Sequence, residues 1–168
     1  MARTIYGAEI FKSPTREVNY DGGKVIGANS EVFAYGDIVT ITSGYLDVAA
    51  RDSQVYGVVV KTQTMASDNQ TVAKVKPSVL VPEQDYEFLM GTNSDLAVTN
   101  VGTYYMLTGT TGAMQVDVSA GAVTAASRIV ECTAVDPLNE GGTGSGSGLR
   151  QGLFRFVKPF NIKQDAVS

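Results

Sequence analysis

An all-β fold is predicted for this 168-residue chain: a small β-barrel or sandwich of about nine short strands with an extended N-terminal arm. Three observations carry the prediction. The chain has 22 Val and 16 Thr against 8 Leu, and β-branched side chains lose rotamer freedom in helices but pack well on pleated sheets. Its 18 Gly suggest frequent tight turns. Its apolar residues fall in short runs separated by Gly, Ser, Asn and Asp, without a sustained helical period.

Residues 1–30 stand apart as an N-terminal arm. Ile5, Ile10, Phe11, Val18 and Tyr20 follow no period, and Pro14 and Asp21-Gly22-Gly23 break the segment. It is too apolar for a solvating tail and too short for a core of its own, so it packs either on its own barrel or on a neighbour. With strands beginning after residue 30, the arm is expected to be dispensable for folding. Arg3, Ile5, Tyr6, Ile10, Phe11, Lys12, Arg16 and Tyr20 are the candidate contacts to a partner or sister subunit.

Residues 31–158 form the expected β domain. Asp37–Ile41 is followed by the turn Ser43-Gly44 and the short strand Tyr45–Val48. Val55–Val60 is a continuous apolar run, suited to a strand covered on both faces. The polar connection Thr64–Gln70 leads to an expected strand Thr71–Lys76. Pro77 and Pro82 make Ser78–Val81 an expected edge strand or strand-like loop. Tyr86, Phe88 and Met90 share one face of a strand. Thr103–Leu107 is read as a single strand. In Met114–Val118 the alternation points Met114, Val116 and Val118 inward and Gln115 and Asp117 outward. Arg128–Val135 and Gly152–Val157 complete the set, joined by a Gly/Ser-rich loop at 139–148. A C-terminal tail spans 159–168.

No run reaches the ~18 apolar residues of a membrane helix. The start lacks the basic and apolar regions of a signal peptide. Cys132 is the one cysteine and reads as an inert core residue. Residues 31–148 hold five basic and thirteen acidic groups, which argues against nucleic-acid binding. The ends are basic, with Arg3, Lys12, Arg16 and Lys24 at one and Arg150, Arg155, Lys158 and Lys163 at the other. Such ends on an acidic body suit docking onto like copies or an acidic partner.

No enzyme, cofactor or metal signature emerges. The chain has no His. Glu83, Asp85 and Glu87 alternate as on a solvated strand face, and Asp136 and Glu140 read as turn and surface charges. Asn93-Ser94-Asp95 falls short of a calcium loop. The loop at 139–148 lacks the Gly-Lys-Ser/Thr ending of a phosphate loop. Asn69-Gln70-Thr71 matches a glycosylation acceptor, which has meaning only in a secreted chain.

The order of features resembles the small structural proteins of tailed-bacteriophage heads, the decoration or capsid cement proteins. The likeness rests on Tyr35–Ile41, Val55–Thr62 and the acidic-to-glycine loop Asp136–Gly148 running into Leu149–Phe154, within residues 35–158. It implies a compact non-enzymatic β domain in the virion, often trimeric, made in the host cytoplasm and clamped outside a lattice of major capsid protein. It also implies a terminal arm that reaches the shell, and no cofactor. The alternative is another phage β module, such as a head-fibre, tail or receptor/carbohydrate-binding protein, with Tyr104 or Tyr105 as sugar platforms.

Overall fold

The structure, a computed structural model, describes residues 7–12, 20–21, 25–51, 53–82, 86–123, 128–135 and 150–157. The fold over these residues is all-β, with one sheet curled into a half-barrel. Fourteen strands are formed among the described residues, many of only two residues, where the sequence pattern suggested about nine. In chain order they are β1 (Ala8–Lys12), β2 (Tyr20–Asp21), β3 (Val32–Phe33), β4 (Ile38–Thr42), β5 (Tyr45–Val48), β6 (Gly57–Val59) and β7 (Gln63–Thr64). Then follow β8 (Val79–Leu80), β9 (Glu87–Gly91), β10 (Tyr104–Tyr105), β11 (Leu107–Thr108), β12 (Gln115–Val116), β13 (Val130–Val135) and β14 (Gln151–Phe156).

Two five-stranded antiparallel sheets carry the architecture, ordered β1-β9-β14-β13-β10 and β2-β8-β6-β4-β5. Two two-stranded sheets, β3-β7 and β11-β12, add Phe33 to one core and Leu107 and Val116 to the other. The larger core lies between the main sheets. Ala8, Phe88, Met90, Tyr105, Val130, Cys132, Phe154 and Phe156 enter it from the first, and Ile38, Val58 and Leu80 from the second. The Phe88 and Phe156 rings meet edge to face at 5.0 Å, a favoured quadrupole arrangement.

The second sheet also buries its other face. Val39, Val59 and Val79 turn into a separate core with Phe33, Leu46, Tyr56 and Met65. Consecutive residues of β4, β6 and β8 thus alternate between two dry cores, which is why Val55–Val60 carries no polar position. Tyr86, Phe88 and Met90 share the inward face as expected.

Four expectations change. Thr71–Lys76 is not a strand: Asn69–Ala73 forms a single π-helical turn, and Lys74 is left-handed with φ of 51°. The cause is Asn69, fully buried. Its Nδ2 donates to Gly27 O (2.7 Å) and Val75 O (3.1 Å), and its Oδ1 accepts from Val75 N–H (2.9 Å). This side chain outcompetes a sheet ladder for the local backbone. The same burial removes Asn69 as a glycan acceptor. The proline-flanked β8 is not an edge, because β2 pairs on its outer side. Thr103–Leu107 splits at Met106, whose carbonyl accepts from Asp117 N–H (3.0 Å), so β10 and β11 serve different sheets. Asp117 is buried, not outward, because β12 ends at Val116 and Asp117 organises the turn beyond it.

The segment expected as an arm enters the sheets where it is described. β1 forms the end of the first sheet and β2 the end of the second. The loop at 139–148, the tail 159–168, Glu83, Asp85, Asp136 and Glu140 lie outside the described residues.

Replacing Asn69 by Ala strips three hydrogen bonds and strands the buried partners. The expected loss is about 2 kcal/mol in urea unfolding, with the strand-type circular dichroism unchanged. A loss below a few tenths of a kcal/mol would contradict this account of the loop.

Candidate functional site

The candidate site is the outer edge of β1, unpaired among the described residues, and the corner that holds it. The corner is the turn Ala34–Asp37, closed by Asp37 N–H to Ala34 O (3.0 Å), with Gly36 at φ of 84°. A positive φ at the third turn position favours glycine. The Asp37 carboxylate is fully buried. Its Oδ2 accepts Ala34 N–H (2.9 Å) and its Oδ1 accepts Gly112 N–H (2.8 Å), tying the turn to the β11-β12 hairpin. Burial pushes the carboxyl above its ordinary value, and the two N–H donors only partly offset that.

Two more elements, β6 and β1, meet at this turn. Gly36 N–H donates to Val59 O (2.8 Å) and Val59 N–H to Asp37 O (2.8 Å), joining β6. Ala8 N–H donates to Gly36 O (2.8 Å), while Gly7 N–H reaches Met114 O (2.9 Å). Gly7 has φ of 74°, and a Cβ there would fall 2.5 Å from Gly36 O. Only glycine lets the two backbones approach so closely.

From this anchor β1 runs antiparallel to β9, with Ala8 opposite Met90, Glu9 opposite Leu89 and Ile10 opposite Phe88. Lys12 then faces Glu87, which leaves Phe11 as the extra residue of a bulge. Because Ala8 N–H points away from β9, ladder alternation turns the Ile10 backbone groups the same way. No further strand pairs with that side among the described residues. The other ends of the main sheets are blunted. Val123 N–H covers Tyr104 O of β10 (3.0 Å). Ile26–Ala28 covers β5 through Leu46 N–H to Ile26 O and Ala28 N–H to Leu46 O, both 2.8 Å. β2 is two residues long. An uncovered edge is a template for another chain, and proteins normally cap it.

Of the residues singled out as contacts, Ile10, Phe11 and Lys12 lie in β1 and Tyr20 lies in β2. Arg3, Ile5, Tyr6 and Arg16 lie outside the described residues. The C-terminal arginines expected for docking are engaged within the chain, Arg150 with Asp95 (3.2 Å) and Arg155 with Glu131 (2.6 Å). Cys132 is buried and its thiol is pushed up to about 12 by burial, an inert state.

A second polar cluster surrounds Asp117. Asn93 Nδ2 (2.8 Å), Ser119 Oγ (3.0 Å) and Ala120 N–H (3.2 Å) donate to its Oδ1, and Arg51 pairs with its Oδ2 at 2.8 Å. Burial raises this carboxyl, but the hydrogen bonds and the guanidinium outweigh it and hold the group below its ordinary value. The cluster is complete within itself and holds a turn. The Asn93–Asp95 triplet is spent on these bonds and on Arg150, and no group of three or more metal-binding side chains occurs among the described residues. Neither Asp37 nor Asp117 was singled out for such a role in the sequence. Each is recognisable only from amides and a guanidinium brought in from distant residues.

Comparison with protein-family models, curated proteins and solved structures finds no match.

Two outcomes follow. Deleting residues 1–12 removes β1 and its ties to Gly36 and Met114, reversing the expectation of a dispensable arm. At about 1 kcal/mol net per hydrogen bond, the loss is on the order of 3 kcal/mol in chemical unfolding. An unchanged midpoint would show that β1 is not part of the folded unit.

The carboxylates give opposite pH signatures. Asp37 has a folded value above 3.8, so the folded state binds its proton more tightly and its contribution falls as pH rises through that window. Asp117 has a folded value below 3.8, so its contribution is present above that pH and is lost on acidification. Urea unfolding from about pH 7 to about pH 3 is expected to narrow the gap between wild type and Asp117→Asn and to widen that for Asp37→Asn. Parallel trends in the two variants would contradict the assignment.

Proposed function

We propose that the chain is a non-enzymatic structural protein of a virion, a capsid decoration or cement protein. It binds the outer surface of a phage capsid lattice, with the major capsid protein as its partner, and works as a homotrimer. The observation that carries this reading is the outward backbone of β1, which no strand covers among the described residues, whereas the other main-sheet ends described are capped or only two residues long. Strand addition gives affinity through backbone hydrogen bonds, while flanking side chains set register and selectivity. In sequence, β1 is flanked by Arg3, Ile5, Tyr6 and Arg16 and ends on Lys12, apolar and cationic residue types suited to an acidic rim.

Cementing a shell requires no reaction. Contacts made to the assembled lattice but not to its opened form stabilise the lattice by mass action, and many copies multiply the effect. The polar clusters support the same reading. Asp117 and Arg51 neutralise one another, and Asp37 faces backbone amides, so each is committed to architecture. The sugar-platform alternative is weakened: Tyr105 is buried, and Arg128 stands over the Tyr104 ring at 5.1 Å.

The test is rebinding to phage particles stripped of their decoration, read by cosedimentation and by added density in electron micrographs. A Pro at Ile10 removes the outward N–H and blocks strand addition at one point. Ile10→Pro is expected to weaken particle binding by about tenfold, close to 1.4 kcal/mol, with circular dichroism confirming that the variant stays folded. Absence of wild-type binding to any such particle would remove the reading, and full affinity of a folded Ile10→Pro would remove β1 as the docking element.

A further inference from the structure

Cations among the described residues divide into two groups. Every described arginine is engaged: Arg51 with Asp117, Arg150 with Asp95, Arg155 with Glu131, and Arg128 with the Tyr104 ring. Lys61, like the pair Lys74 and Lys76, is exposed and takes part in no ion pair among the described residues, but of the three only Lys74 and Lys76 share one segment. They lie on a loop whose six residues 71–76 are all exposed, yet which the buried Asn69 holds in one conformation. Gln70 N–H adds a tie to Asn29 Oδ1 at 2.7 Å. Alongside the lysines the loop displays Val72, within the turn, at 72% and Val75, between the lysines, at 39% exposure. A rigid loop that presents apolar and cationic groups together loses little entropy on docking.

The complementary feature lies at the same end of the molecule. Gly27 N–H bonds Val75 O of the loop (3.1 Å), and Gly27 also bridges Leu46 of β5. Next to Leu46 stands Asp47, near enough to Glu31 to act on its carboxyl, with no cation paired to either among the described residues. Burial and then the neighbouring Asp47 raise the Glu31 carboxyl. One end of the chain therefore carries a basic, apolar loop beside an acidic pair, and neither neutralises the other.

We propose that this end is an interface between copies of the chain, the Thr71–Lys76 loop of one copy seated against the Glu31–Asp47 pair of the next. A foreign partner would have to match both patches separately, whereas a second copy matches both by construction. The proposal deepens the homo-oligomer part of the functional reading by naming its surface. A reciprocal pair or a closed ring satisfies both patches, and the measured mass distinguishes them.

Sedimentation equilibrium of the full chain at low and high salt provides the test. Self-association is expected, weakening with salt as exposed charges are screened. Lys74→Glu with Lys76→Glu is expected to weaken it by about tenfold while leaving circular dichroism unchanged. Adding Glu31→Lys and Asp47→Lys to that variant restores opposite charges across the contact and is expected to recover association. A monomeric wild type at high micromolar concentration overturns the proposal, as does an oligomer indifferent to the loop reversal or not recovered by the double swap. Particle binding is a separate readout. A chain that self-associates through this surface but ignores capsids defeats only the cement reading, and a monomer that decorates them defeats only this one.

Discussion

The Asp37 carboxylate is the constraint on which the rest depends. A buried carboxylate is costly unless its oxygens are occupied, and here each accepts a backbone N–H from a different element. Satisfying both fixes the turn Ala34–Asp37 against the β11-β12 hairpin. With the turn fixed, Gly36 presents its N–H to β6 and its carbonyl to Ala8, so β4, β6, the hairpin and β1 converge within one corner. The raised carboxyl shows that the two amides do not fully repay burial. Its bonds enforce a geometry that holds β1 on its own sheet with its outer edge facing away.

That geometry joins fold and proposed function. β1 is at once structural and available. Its inner edge bonds β9, its first residues are clamped by Gly36 and Met114, and the backbone beyond the clamp faces outward. A docking strand held in place in advance loses less entropy than a disordered arm on binding. The register shift at Phe11 is a bulge, and bulges locally bend and twist the strand that carries them.

Much of the architecture was legible because it follows local periodicity. The unbroken apolar run Val55–Val60 marked a strand covered on both faces, and it separates the two cores. Tyr86, Phe88 and Met90 alternated and share one face. What was not legible depends on partners far away in the chain. Thr71–Lys76 has a strand's composition, but a single Asn69 amide turns it into an exposed loop. Asp117 alternates as an outward residue, yet Asn93 and Arg51 arrive from 24 and 66 residues away to bury it. The arm lacked any period because β1 and β2 belong to different sheets, so no single repeat describes them.

Native-state hydrogen exchange in wild type and Asp37→Ala tests the corner most directly. If Asp37 organises it, the amides of Ala8, Ala34 and Gly112 are protected in the wild type and lose protection together in the variant, while the β9-β14 ladder stays protected. If Ala8 and Gly112 keep wild-type protection without the carboxylate, the corner forms for other reasons, and Asp37 is not what holds β1 in place.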